Sequence, residues 1–110
     1  MAGVVAFVQD EKTKIMAAYV IFMREKIIDS DEMDNYIKKA ALGFIGHPVK
    51  VLASHSRFEV VEGPPIESVV TLEFPNMEAA KLWYESAAYY EALQHRLKGG
   101  QYRCVIAEGK

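Results

Sequence analysis

Two side chains in this chain carry types and positions suited to proton chemistry, His55 and Glu73. His55 falls in a stretch that reads as a strand, with Arg57 and Glu59 on the same side by alternation. A neutral imidazole there can take a proton from an activated carbon, since histidine ordinarily titrates near pH ~6.5. Glu73 sits mid-strand beside Phe74. A carboxylate held in such a place costs free energy unless it is paired, so it serves as an acid, a base or a hydrogen-bond acceptor. Trp83 and Tyr84, adjacent on a helix, can wall a pocket for an apolar or aromatic ligand. Tyr36, Arg57 and Tyr89 complete the candidate ligand-binding set. Each of these residues also has a purely structural reading. His55 can be an exposed strand histidine, Glu73 can pair with Arg57, Arg103 or a partner residue, and Trp83 and Tyr84 can be helix core.

Other chemistries find little support. The three histidines, His47, His55 and His95, have no close ligand spacing, and there is no Cys-x-x-Cys, so no metal site is expected. No phosphate-cradling glycine loop, nucleophile elbow or dinucleotide fingerprint occurs, so no cofactor is expected either. His95 beside Arg96 reads as a solvated helix surface, His47 before Pro48 as structural, and Cys104 as a small core residue. The formal net charge of -2 over 110 residues argues against a nucleic-acid or anionic-membrane surface. A single cysteine allows no internal disulfide, which fits a reducing compartment. The apolar start Val4–Val8 is too short for a signal core, and no run approaches the ~20 apolar residues of a membrane helix. A cytoplasmic setting is expected.

These residues must be positioned by a regular alternation of elements. Residues 1–15 read as an extension, either an edge strand or a tail, ahead of one domain over 16–110. Ala18–Met23 has the pattern of a strand covered on both faces. Asp29-Ser30-Asp31-Glu32 opens a helix whose apolar ladder is Met33, Tyr36, Ile37, Ala40, Ala41 and Phe44. Gly43 and Gly46-His47-Pro48 end it. Val49–Val61 predicts one bent strand or two short ones, and Gly63-Pro64-Pro65 a turn. Ser68–Phe74 is a strand with Val70, Leu72 and Phe74 on one face. Asn76 caps a helix carrying Trp83 and Tyr84. Ser86 caps an offset second segment, in which Tyr89, Tyr90, Leu93 and Leu97 are expected to pack inward. Gly99-Gly100 breaks that segment, and Tyr102–Ala107 is the last strand.

The order strand, helix, strand, strand, helix, strand is the ferredoxin-like βαββαβ arrangement, an α+β fold with an antiparallel sheet and helices on one face. The other face mixes Thr71 and Glu73 with several valines. A partner sheet would cover it, so a homodimer packed through its sheet faces is expected.

From about Ala18 to Gly109 the chain resembles the domain of unknown function 1330 family of the dimeric α+β barrel superfamily. The resemblance is carried by Asp29 with Tyr36, Glu62-Gly63, Ser68, Glu73-Phe74-Pro75, Ala80, Trp83-Tyr84-Glu85-Ser86, Tyr89, Arg96 and Glu108-Gly109. It implies a ferredoxin-like dimer and says little about chemistry. The wider superfamily includes cofactor-independent monooxygenases, isomerases, polyketide cyclases and heme-degrading enzymes. This chain departs from the family pattern at Gly46-His47-Pro48, where many members carry a glycine pair, at His55, where relatives often have glycine, and in its first fifteen residues. The functional expectation is a small-molecule-binding protein, a cofactor-independent cyclase, isomerase or monooxygenase acting on an apolar or aromatic metabolite in a biosynthetic pathway. The alternative is a non-catalytic dimeric ligand-binding or structural module.

Overall fold

The computed structural model describes residues 16–110. The expectations for residues 1–15 lie outside it. The elements are β1 (Ala18–Ile27), α1 (Ser30–Gly43), β2 (Lys50–Ser54), β3 (Ser68–Phe74), α2 (Met77–Tyr84), α3 (Ala87–Gly99) and β4 (Gly100–Glu108). The strands form one antiparallel sheet in the order β2-β3-β1-β4. This is the ferredoxin-like topology, with the helices on one face.

Strand alternation decides which side chains meet those helices. Ala18, Val20 and Phe22 of β1 and Ser68, Leu72 and Phe74 of β3 are buried on the inner face, and Tyr102, Cys104 and Ile106 of β4 pack against them. Tyr19, Ile21, Met23, Val69, Thr71 and Glu73 take the outer face and are only half-buried.

Local capping fixes the helix starts. Asp29 Oδ1 accepts from the backbone N–H of Asp31 (3.0 Å) and Glu32 (3.2 Å). Asn76 Oδ1 accepts from Ala79 N–H at 2.8 Å. Ser86 joins two helices: its Oγ donates to the Trp83 carbonyl at 2.7 Å and accepts from Tyr89 N–H at 3.3 Å. That bond sets the offset between α2 and α3 and brings Trp83 against Tyr89, ring centres 4.3 Å apart. Trp83 also stacks on Phe44 and packs on Phe74, and is fully buried.

Two sequence expectations need correction. The strand expected over Val49–Val61 stops at Ser54. A bulge between Val51 and Ala53 breaks its alternation, and His55 then adopts a left-handed backbone (φ 52°) that cannot continue a strand. In α3, Tyr90 and Leu97 are exposed, while Tyr89, Ala92, Arg96 and Gly99 form the buried stripe.

Candidate functional site

Between α1 and the sheet lies a cavity of about 60 Å³. Met33, Tyr36, Ile37 and Phe44 of α1 line it from one side. Phe22 and Arg24 of β1, Val70 and Leu72 of β3 and Tyr102 of β4 line it from the sheet, and Trp83 and His55 complete it. At the ~30 Å³ that each molecule takes in liquid water, the space holds roughly two waters, or a ligand of a few heavy atoms.

His55 reaches this cavity because the chain turns at its left-handed backbone just after β2. Its Nδ1 lies 2.6 Å from Ser68 Oγ, on the inner face of β3. Ser68 is buried, so the contact holds the ring in one orientation and leaves Nε2 as the nitrogen available to exchange a proton.

Behind the cavity sits a cage of phenols around one guanidinium. Tyr36 and Tyr89 share a hydrogen bond between hydroxyls at 2.8 Å. Arg96 is 4% exposed and donates through Nη2 to Tyr84 Oη at 3.4 Å. Its guanidinium lies 5.2 Å from the Phe22 ring centre, 6.0 Å from Tyr36 and 5.0 Å from Tyr102. Such cation–π contacts gain strength where water is excluded. Burial pushes the Tyr36 hydroxyl far above the usual phenol range, and its hydroxyl partner Tyr89 adds to the shift. Burial also pushes Tyr89 up to about 12, with Arg96 pulling the other way. Both phenols are therefore hydrogen-bond donors at neutral pH, not bases.

The family whose pattern matches residues 17–110 is described as domain of unknown function (DUF1330). The chain belongs to the DUF1330 family. No curated protein matches it. Several solved structures share its fold. The RPA0582 protein of unknown function from Rhodopseudomonas palustris is 15% identical, with a TM-score of 0.71 over 96% of this chain and 92% of that one. A dimeric protein of unknown function and ferredoxin-like fold from Bacteroides fragilis is 14% identical, TM-score 0.55, over 84% of this chain and 95% of that one. A conserved protein of unknown function from Bacteroides thetaiotaomicron, described as a possible oxidoreductase, is 11% identical, TM-score 0.54, over 86% and 98%.

In this DUF1330 chain the residues singled out from sequence divide into three places. His55, Tyr36 and Trp83 line the cavity. Tyr84 and Tyr89 stand one layer behind, bonded to Arg96 and Tyr36 respectively. Glu73 and Arg57 do not line this cavity. Strand alternation turns Glu73 to the outer face, in register with Tyr19 and Lys50, and no ion pair reaches it among the described residues. Arg57 is exposed in the irregular segment after β2. His95 is not simply solvated: its Nδ1 lies 3.2 Å from Glu32 Oε1, tying α3 to α1.

The sequence assigns no site role to Arg24, Tyr102 or Arg96, although Arg96 belongs to the residues that carry the family resemblance and Tyr102 opens the last strand. The available signal for Arg96 was its place in the series Tyr89, Ala92, Arg96, Gly99, which is a helical face. No cluster of three or more metal-ligating side chains occurs among the described residues, and no described helix is long and apolar enough to cross a membrane.

Proposed function

We propose that this protein binds a small metabolite in the cavity between α1 and the sheet and moves a proton on it without a cofactor, as an isomerase or cyclase does. The observation that carries this reading is His55, held by Ser68 at 2.6 Å, at a cavity walled by Tyr36, Trp83 and Tyr102. His55 Nε2 takes the proton from a carbon beside a carbonyl. The Tyr36 hydroxyl, accepting from Tyr89, donates to the enolate oxygen. His55 then returns the proton to a different atom of the substrate. The aromatic walls and the volume of about 60 Å³ suit a small body of a few heavy atoms with an apolar part.

The working unit is a homodimer packed through the outer sheet faces. Half-buried Ile21, Met23 and Val69 and exposed Val105 support this, as does the description of the Bacteroides fragilis relative as dimeric. In that arrangement Glu73 faces the partner and not the substrate.

The test is deuterium exchange into a panel of small enolisable ketones and oxo acids, followed by proton NMR in heavy water. Wild-type protein accelerates exchange in at least one compound, and His55→Gln lowers that rate by about 100-fold or more. An unchanged rate in the variant removes His55 as the base. A second reading, a non-catalytic ligand-binding module, is favoured by the small volume of about 60 Å³, well below that of most small-molecule pockets. Binding without exchange in any compound selects it.

A further inference from the structure

Three buried donor nitrogens lack an acceptor among the described residues: Arg24 Nε, Trp83 Nε1 and Arg96 Nε. They come from β1, α2 and α3, on side chains that stand in or behind the wall of one cavity. Arg24 and Trp83 line the cavity under α1, and the Arg96 guanidinium lies over the rings of Phe22 and Tyr102, which line it too. Buried polar groups are rarely left unpaired, so three donors around one cavity point to a missing acceptor.

The charges agree with the donors. No Asp or Glu lines the cavity. Arg24 Nε is 3.4 Å from Glu67 Oε1, without hydrogen-bond geometry. That carboxylate is 45% exposed and also accepts from Ile27 N–H at 3.0 Å. It therefore engages only part of a guanidinium that carries five N–H donors. Arg96 makes no ion pair among the described residues, and its neighbours are phenols and rings. One cation stands in the wall and a second stands one layer behind, with rings, hydroxyls and an imidazole around them.

We infer that the cavity takes a small organic carboxylate, held by Arg24 and the Trp83 indole N–H and attracted by the buried charge of Arg96, an inference that rests on the reading of this cavity as the ligand site. A carboxylate offers about four lone-pair positions to these donors and supplies the negative charge that the lining lacks. A 2-oxo acid of a few heavy atoms carries its enolisable carbon just beyond the carbonyl that adjoins the carboxylate, which connects the anion site to His55.

The experiment compares propanoate with propanamide, which has the same shape and no charge, by saturation-transfer NMR and by the fluorescence of Trp83, the single tryptophan of the chain. Propanoate binds about tenfold more tightly than propanamide, the effect expected for a hydrogen bond to a charged group. Arg24→Gln abolishes the difference, and Arg57→Gln, on the exposed segment, leaves it intact. Glu67→Gln gives a second measurement independent of the folding of the Arg24 variant: removal of the competing carboxylate tightens propanoate and leaves propanamide unchanged. Equal binding of both probes overturns the carboxylate inference while the cavity stands as a ligand site. Binding of neither probe, with neutral ketones still bound at Trp83, overturns it in the same way. The absence of any ligand response at Trp83 overturns both readings together.

Discussion

At the scale of single residues, the site depends on groups placed against their usual habits. His55 occupies a left-handed backbone position that few non-glycine residues accept, and the gain is a ring fixed on buried Ser68. Arg96 is buried without a carboxylate and leans on three rings and the Tyr84 hydroxyl. The phenols beside it make a pH prediction. Burial raises Tyr89 from 10.0 to about 12. Between those values the unfolded chain releases a proton that folded Tyr89 keeps, so stability is fully present below pH ~10 and falls as pH rises toward about 12. Urea midpoints measured from pH 9 to 12 should show this decline, and Tyr89→Phe should make it shallower, with buried Tyr36 supplying the remainder, at the cost of lower stability at neutral pH. An equally steep decline in the variant would show that Tyr89 contributes none of it. The legibility of these residues was uneven. His55, Tyr36 and Trp83 stand out by type and spacing. Arg96 does not, because charged residues seldom face a core, and its aromatic partners arrive from three other elements.

At the scale of elements, the local signals were the readable ones. Asp29, Asn76 and Ser86 cap helices through bonds to residues two to three positions away, so the helix starts can be read along the chain. The end of β2 cannot be read this way. It is set by a bulge against β3 and by the turn at His55, which depend on a strand fourteen residues further on. The stripe of α3 was misread for a related reason: Leu97 is apolar but exposed, and Arg96 is charged but buried. One close contact between elements carries a prediction. A Cβ on Gly99, at the end of α3, would lie 2.9 Å from both the backbone nitrogen and the sulfur of Met33 in α1. Gly99 also accepts from Ile28 and Asp29 N–H at 2.8 and 3.1 Å, so α3 cannot move away freely. Gly99→Ala should lower stability by about 1–3 kcal/mol through overpacking, measured by urea denaturation. An unchanged midpoint would mean that the two helices slide apart easily.

At the scale of the whole molecule, the sheet has two unlike faces. Helices cover the inner face and enclose the cavity. The outer face presents apolar side chains that single chains seldom leave open. Val105→Glu on that face should leave the isolated fold within about 0.5 kcal/mol of the original and shift the molecule from twice the chain mass to the chain mass in light scattering. A monomeric wild-type protein would contradict the dimer. The same division of faces separates the proposed ligand site from Glu73, and a single titration tests it. Propanoate added to nitrogen-15-labelled protein should move the Trp83 indole N–H resonance and the backbone signals of Arg24 and His55, with Thr71, Glu73 and Arg103 unmoved. Shifts confined to Thr71, Glu73 and Arg103, with the Trp83 indole unchanged, would place the ligand on the outer face and contradict the account.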